Sequence, residues 1–256
     1  NGLFYLYLEA WSYTMDWDRV KKSRSFQNGA LTYMEVAQRV LSGYGQSGVT
    51  DHATGGACIP EFLLQYEESD WVFLRRLASH FGTYLLADAT DACGKVYFGI
   101  PEISYGTVLD RQDYTMEKDM LHYARVLEKE GVLSQEASCW NVMVRFFLRM
   151  GETLTFNGIE AVVTAMRLHT EKGELVYSYV LARRAGIRRE KEKNPGIFGM
   201  SIPATVMERS GNRIRVHFEI DPEYEASEKT KYFTYAIESS SFYCMPEEGS
   251  QVHIYF

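Results

Sequence analysis

No apolar run in this chain reaches the ~18–20 residues a helix needs to cross a bilayer, so no helical membrane span and no stable membrane insertion are expected. Cysteine is scarce: Cys58, Cys93, Cys139 and Cys244 lie far apart and share no paired spacing. That excludes a zinc ribbon, a C-x-x-C redox pair and a disulfide framework, and leaves free structural thiols. The six histidines (His52, His80, His122, His169, His217 and His253) never fall at metal-ligand spacing. The G-x-S-x-G, P-loop and dinucleotide fingerprints are missing. Acidic residues outnumber basic ones for a net charge of −7, whereas phosphate neutralisation needs clustered Lys and Arg, so no nucleic-acid partner is expected. Residues 2–10 alternate apolar and aromatic side chains without a basic lead or cleavage pattern, and are not expected to act as a secretory signal.

What is present is β-pattern. The 256 residues are 46% apolar, enough for two or three domains with real cores. In Asn212 to Ile220, Ile214, Val216, Phe218 and Ile220 alternate with Arg213, Arg215, His217 and Glu219. Strand side chains point to opposite faces in turn, so this is a half-buried strand. Gln251 to Phe256 repeats the pattern, with Val252, Ile254 and Phe256 inward, and Tyr232 to Ile237 is again β-rich. A turn at Pro246-Glu247-Glu248-Gly249 separates them. Four or five such strands in under sixty residues fit a small closed barrel of the oligosaccharide/oligonucleotide-binding (OB) type. From Phe198 onward, five basic residues (Arg209, Arg213, Arg215, Lys229, Lys231) face nine acidic ones, a poor balance for gripping a nucleic-acid strand.

Upstream, the expected fold is mainly β with an α+β insert. Leu3 to Ser12 reads as a strand ending a domain whose earlier strands are missing, so residues 1–24 are taken as the end of a first barrel and the chain as part of something longer. Asp16 to Asn28, with Lys21, Lys22 and Arg24, reads as a polar connector. Thr32-Tyr33-Met34-Glu35 is a capping box, opening a helix with Tyr33, Val36, Ala37, Val40 and Leu41 on one stripe and a stop at Gly43. A glycine-rich loop, Gly43 to Gly56, precedes a strand at Phe62 to Tyr66. Ser69 or Asp70 then caps a second helix whose buried face is Trp71, Leu74, Leu77, Ala78 and Phe81. Thr83 to Asp88 and Lys95 to Ile100 read as strands joined at Asp91 to Gly94, which ends an α+β insert over 25–110. Tyr114 to Arg184 reads as nearly all strand, within a second tube-forming β-barrel over 111–190: Asn141 to Met150 alternates, Asn157-Gly158 is a tight turn, and Val162 to Leu168 pairs with Leu175 to Leu181 around Glu171-Lys172-Gly173-Glu174. Gly186 to Gly196 reads as a solvated mixed-charge linker into the OB-type module at 198–256.

Candidate chemistry is thin. Glu67, Glu68 and Asp70 form a carboxylate cluster of the kind glycoside hydrolysis uses, but anionic groups beside a helix start also serve the helix dipole, the simpler account. Cys58 follows Gly55-Gly56-Ala57 as a lone nucleophile with no evident base. The eighteen tyrosines and fourteen phenylalanines could stack on sugars, yet most sit at alternating strand positions that build cores and interfaces. The sequence assigns no catalytic, metal-binding or cofactor-binding residue. It leaves three readings: a structural assembly protein, a peptidoglycan hydrolase using the carboxylates, or a glycan-binding module.

Tyr66-Glu67-Glu68-Ser69-Asp70-Trp71-Val72-Phe73-Leu74-Arg75-Arg76-Leu77, followed by Phe81-Gly82-Thr83, resembles the Y-x-E-S-D-x-x-F-x-x-R-L segment of the VgrG and phage late-control D family. Arg24-Ser25-Phe26-Gln27-Asn28 and the capped helix at Thr32 resemble a stretch preceding it there. Arg213 to Phe218 and Met245 to Val252 resemble the G-R-V-x-V-x-F and P-x-x-G-x-x-V strands of that family's OB-type neck, with Asn212 where many members carry glycine. The likeness is segmental, but it covers most of the chain in the right order. It implies a baseplate hub of a phage tail or related contractile injection system, a homotrimer joining the hexameric tail tube to the spike. Its implied partners are further copies of itself, the tail tube protein, the C-terminal spike and other baseplate proteins. It further implies synthesis in the bacterial cytoplasm, assembly into the tail or injection apparatus, no cofactor and no enzymatic activity. No needle-like β-helix or tip metal site is carried over onto these residues.

Overall fold

A computed structural model describes residues 12–88, 90, 93–171, 173–236 and 245–256. The expected strand at Leu3 to Ser12 falls almost wholly outside them, as do Ile237, Cys244 and part of the Asp91 to Gly94 turn. The fold is mostly β, with curled sheets. Along the chain, a 3-10 turn at Tyr13–Asp18 leads to β1 (Lys21–Phe26), helix α1 (Tyr33–Leu41), β2 (Ser47–Asp51), β3 (Leu63–Ser69) and helix α2 (Asp70–Ser79). Then come β4 (Leu85–Ala87), β5 (Gly94–Phe98), β6 (Ile103–Leu109), β7 (Tyr114–Lys118), β8 (Ser138–Val144), β9 (Glu152–Phe156), β10 (Ile159–Glu171) and β11 (Glu174–Ala182). The last strands are β12 (Ser201–Ser210), β13 (Arg213–Phe218), β14 (Phe233–Thr234) and β15 (Gln251–Tyr255).

The chain divides into two compact units, one of Asn1–Thr14, Gln46–Gly55 and Arg75–Glu192, the other of Met15–Gly45, Gly56–Leu74 and Lys193–Phe256. The first holds a three-stranded sheet, β2-β5-β4, and a six-stranded sheet, β6-β9-β10-β11-β8-β7. One face of the larger sheet is its core: Trp140, Val142 and Val144 of β8 alternate inward with Leu154, Phe156, Ala161, Val163, Tyr179 and Leu181. Two turns set its register. Asn157 (φ 46°) and Gly158 (φ 75°) both take the left-handed region, the type I′ geometry that matches strand twist, and Phe156 pairs with Ile159 across them. The long hairpin pairs Val162 with Ala182 through to Glu171 with Glu174, as the pattern predicts. Gly186 is required by close approach, since a Cβ there would stand 1.9 Å from the Glu136 carbonyl oxygen.

Four readings of this unit change. The Gly43 to Gly56 loop contains β2, parallel to β5 from Ser47↔Gly94 to Asp51↔Phe98; its pairing partner lies more than forty residues on, beyond what local pattern reports. The alternation in Asn141 to Met150 stops being a strand at Val144, and Phe146 and Phe147 are exposed. Tyr114 to Arg184 is not nearly all strand. Asp119 accepts from the His122 amide at 2.8 Å, capping one α-helical turn (Met120–His122) that continues as π-helix and 3-10 turns to Glu130 and stops at Gly131 in the left-handed region. The mixed-charge stretch after Gly186 is not a free solvated linker either. Its Arg189 amide donates to the Gly82 carbonyl (2.9 Å), its Glu192 amide to Ser79 Oγ (2.8 Å), and the Arg189 guanidinium lies 5.1 Å from the Tyr84 ring centre.

The second unit is a four-stranded antiparallel sheet, β14-β13-β12-β15, together with the β1–β3 pair and α1. Ile214, Val216 and Phe218 are buried as their alternation requires, against Ile202, Ala204 and Val206 of β12 and Leu64 of β3. Phe62 binds this core through rings, stacked on Phe256 (5.5 Å) and edge-on to Phe233 (5.4 Å). Val252, Ile254 and Phe256 are only half-buried, because β15 is a sheet edge. The α1 capping box forms: Thr32 Oγ1 accepts from the Glu35 amide (3.1 Å) and the Glu35 carboxylate from the Thr32 amide (2.7 Å). All five expected stripe residues of α1 are buried. The Asp16 to Asn28 connector is instead a 3-10 turn and β1, a strand paired antiparallel with β3.

Candidate functional site

The convergence of charge in the second unit is at the start of α2. Strand β3 runs to Ser69 and the helix begins at Asp70 with no intervening loop. Ser69 Oγ accepts from the Val72 amide (3.2 Å), so of the two expected caps it is the serine that satisfies an orphan helix donor. It also donates to Asp18. Just before, β1 and β3 slip register between Lys22 and Arg24, so that Tyr66 and Glu67 together oppose Ser23. Glu67 takes φ 47° in this bulge, a costly conformation for a residue with a Cβ.

The bulge delivers Asp70 to the face of β1 that carries Lys22, Arg24 and Phe26, the even-numbered side chains of a strand. Asp70 is fully buried. Its Oδ2 accepts from Lys22 Nζ and from the Tyr44 hydroxyl, both at 2.6 Å. Its Oδ1 accepts from Gln65 Nε2 (2.9 Å) and from the Arg24 guanidinium. Gln65 in turn accepts from Arg24 Nε (2.6 Å) and donates to the Glu68 carbonyl (3.0 Å). Trp17, 1% exposed, closes one side, with ring centres 6.0 Å from Tyr44 and 6.4 Å from Trp71.

Burial alone would push the Asp70 carboxyl up, but hydrogen bonds from Lys22, Tyr44 and Gln65 and the charge of Arg24 outweigh it and hold the group below its ordinary value. Burial works against the Lys22 ammonium in the same way, and its bonds to Asp70 and Tyr44 win, so its pKa is raised. Burial and the Asp70 carboxylate push the Tyr44 phenol up. The site is therefore a locked ion cluster: an anion, each of whose oxygens accepts two hydrogen bonds, held between two cations. A general acid needs the reverse, a carboxyl kept protonated near neutral pH. Of the other two carboxylates in the expected cluster, Glu68 is buried, whereas Glu67 is exposed and within 3.4 Å of the Ser23 hydroxyl. The three lie within four residues but serve a bulge, a strand and a helix start.

The remaining sequence candidates do not converge. Exposed Cys58 donates weakly to the Ala30 carbonyl at 3.6 Å, and among the described residues no disulfide joins Cys58, Cys93 and Cys139 to one another. Among the described residues no group of three or more His, Cys, Asp or Glu side chains stands ready to hold a metal ion. The partly buried His80 is held at about 4, chiefly by burial and then by Lys191 and Arg76. Sequence reasoning missed Lys22 and Arg24 as the partners of Asp70. Their two-residue spacing with Phe26 was the available signal, since a strand that points Phe26 inward points them inward too, and buried cations need an anion.

A second polar contact set ties the loop after β13 to β1 and α1. The Asp221 carboxylate accepts from the Ser25 amide (2.6 Å) and hydroxyl (2.5 Å). Burial nonetheless leaves its pKa raised, against the opposing effect of Ser25, His217 and Arg24. Glu225 forms a two-pronged pair with Arg39 (2.7 and 3.2 Å).

These features define a mostly β protein of curled sheets with an internally neutralised buried cluster. Among solved structures, the chain is similar to the E. coli c3393 protein, described as a component of the type VI secretion system with structural similarity to the T4 bacteriophage tail proteins gp27 and gp5. The two are 15% identical with a TM-score of 0.67, over 95% of this chain and 72% of that one. It is also similar to the 43 kDa tail protein of prophage MuSo2 from Shewanella oneidensis, at 13% identity and a TM-score of 0.53 over 71% of each chain. At such identities the likeness is one of fold. No family model matches the chain, and no curated protein sequence matches it.

Proposed function

We propose that this chain is a structural hub subunit of a phage baseplate or related contractile injection system, a homotrimer that joins the tail tube to the spike and performs no chemistry. The observation that carries the reading is the fold likeness over 95% of the chain to a type VI secretion component itself likened to phage tail proteins. In this proposal residues 1–24 end a first barrel, 25–110 carry the α+β insert, 111–190 form a second tube-forming barrel and 198–256 an OB-type neck. Two features support an assembly role. The six-stranded sheet ends on β6 and β7, whose Tyr105, Val108 and Met116 are each more than 60% exposed, and open strand edges are where further chains add. In addition, Asp70, one of the three carboxylates a hydrolase would draw on, is held as an anion by Lys22 and Arg24.

Light scattering of the full-length protein tests the reading. A mass of three chains, and capture of the tail tube protein encoded beside it, are expected. A strict monomer at micromolar concentration that ignores the tube protein overturns it. Release of soluble fragments from purified peptidoglycan would overturn the non-enzymatic part independently.

A further inference from the structure

Residues 221–229, between β13 and β14, are bound to the outer edge of β1 almost wholly by polar contacts. The Ser25 amide donates to Asp221 (2.6 Å), the Lys231 amide to the Gln27 carbonyl (2.9 Å) and the Gly29 amide to the Lys229 carbonyl (3.2 Å). Ser25, Gln27 and Gly29 are alternate residues, which is how the unpaired edge of a strand presents its donors and acceptors. The segment thus stands where a further strand would, and blunts that edge. No residue from Asp221 to Lys229 is buried; the first that is, Thr230, is 3% exposed. Arg215 fixes that end, donating to the Thr230 carbonyl (3.0 Å) and the Glu228 carbonyl (2.6 Å). Beneath the segment lies a cleft of about 450 Å³ lined by Arg24, Gln27, Arg39, Asp221, Tyr224 and Glu225 among others. The Gln27 side-chain oxygen is buried there without a hydrogen-bond partner among the described residues. At mid-segment Arg39 makes a fork-to-carboxylate contact with Glu225, each side chain nearly half exposed.

We propose that residues 221–229 are a strap that opens as one unit, hinged at the flanking Ile220 and Thr230, and that the Arg39–Glu225 ion pair is its latch. Few buried apolar groups and solvent-facing polar contacts give a segment a low opening free energy relative to the core around it. An exposed ion pair is also the kind of contact that salt weakens. Opening uncovers the edge at Ser25 of β1 and at Gln27 and Gly29 just after it, and leaves the β12–β13 core closed.

Amide hydrogen exchange on the whole chain tests this. Ser25 and Gly29, whose amides are held by the strap, should exchange at one common rate, well above that of Val216 in the sheet core. Arg39→Ala should speed both by about two- to five-fold, the range an exposed pair supports. High salt should speed the native protein by a similar factor and the variant no further. Glu225→Gln, nearly isosteric, should reproduce the effect and decides the matter if the arginine variant is disturbed. Exchange of the two amides at the Val216 rate, at unrelated rates, or unchanged by both substitutions and by salt overturns the strap.

Discussion

Replacing Asp70 by asparagine removes one charge and almost no volume, so whatever it does to stability is electrostatic and hydrogen-bonding in origin. In the native protein both carboxylate oxygens accept, from Lys22, Tyr44, Gln65 and Arg24. An asparagine offers one acceptor and turns two N–H donors on the others. Whichever oxygen the NH2 group replaces, one of Lys22 and Arg24, with side chains 37% and 23% exposed, is left facing a donor, and the other loses the carboxylate charge. Breaking a buried pair by removing one partner costs about 3–5 kcal/mol, because the remaining charge is stranded. The partial exposure of both cations lets water take up part of that, so the low end, about 3 kcal/mol, is expected. That is a large share of the roughly 5–15 kcal/mol by which domains are stable. Urea unfolding followed through tryptophan emission is a suitable assay, since Trp17 and Trp71 border the cluster. The pH dependence supplies a second check. The folded pKa of Asp70 is depressed, so its contribution is full above the unfolded value near 3.8 and is lost as pH falls through the lower folded value. The gap between native and variant proteins should therefore narrow in acid. A variant within about 0.5 kcal/mol of native at pH 7, or a gap that does not narrow, would refute the locked-ion account.

Helix α2 offers a correction with consequences. The expected buried face named Trp71 and Phe81, but both are only partly buried, whereas Phe73, Leu74, Leu77 and Ala78 are 0% exposed and Phe73 stacks on Phe26 at 5.8 Å. Phe73→Ala should cost about 3–5 kcal/mol and Trp71→Ala clearly less; equal shifts in denaturation midpoint would contradict this. Glu67→Gly relieves the left-handed backbone in the bulge and should stabilise by about 1 kcal/mol, visible as a raised melting temperature. His80 is a base with a folded pKa near 4 against an ordinary 6.5. Its neutral form is stable above pH 6.5, and stability falls as the unfolded chain takes up protons between 6.5 and 4. His80→Gln should flatten the stability profile across that window, and an unchanged slope there would refute it.

The parts of the fold legible in the sequence are those where local pattern and tertiary partner agree. The α1 stripe, the capping box at Thr32, the Asn157-Gly158 turn and the alternation in β13 each encode their own answer within a few residues. What stayed hidden depended on distant partners. Strand β1 looked like a connector because Lys21, Lys22, Ser23 and Arg24 are polar, yet its inward polar side chains are matched by Asp70, nearly fifty residues on. Strand β2 is a short Ser-Gly-Val-Thr-Asp run whose stability comes from parallel pairing with β5. The Glu67, Glu68 and Asp70 cluster was visible as a triplet, but its meaning was not. A bulge sends Glu67 to solvent and Asp70 into the interior, and no spacing rule anticipates a bulge that a glutamate rather than a glycine occupies.

Asp221 makes the converse case to Asp70, on the opposite edge of the same strand. It is partly buried and accepts two short hydrogen bonds from Ser25, yet no lysine or arginine forms a salt bridge with it among the described residues. Burial therefore prevails and its folded pKa lies above the ordinary carboxylate value. The sign is opposite to that of Asp70: stability is highest below the unfolded value near 3.8 and is lost as pH rises through the higher folded value. At neutral pH the ionised Asp221 is thus a net cost. Asparagine keeps an acceptor for the Ser25 amide, and the Ser25 hydroxyl can turn to accept from the new N–H. Asp221→Asn should consequently match or slightly exceed the native protein at pH 7 and flatten its profile as pH rises above the ordinary value near 3.8. The two aspartate variants are alike in chemistry, and the structure separates them only by the cations that reach one carboxylate and not the other. Equal losses from both, measured in urea at pH 7, would mean that burial rather than pairing decides what a carboxylate contributes here.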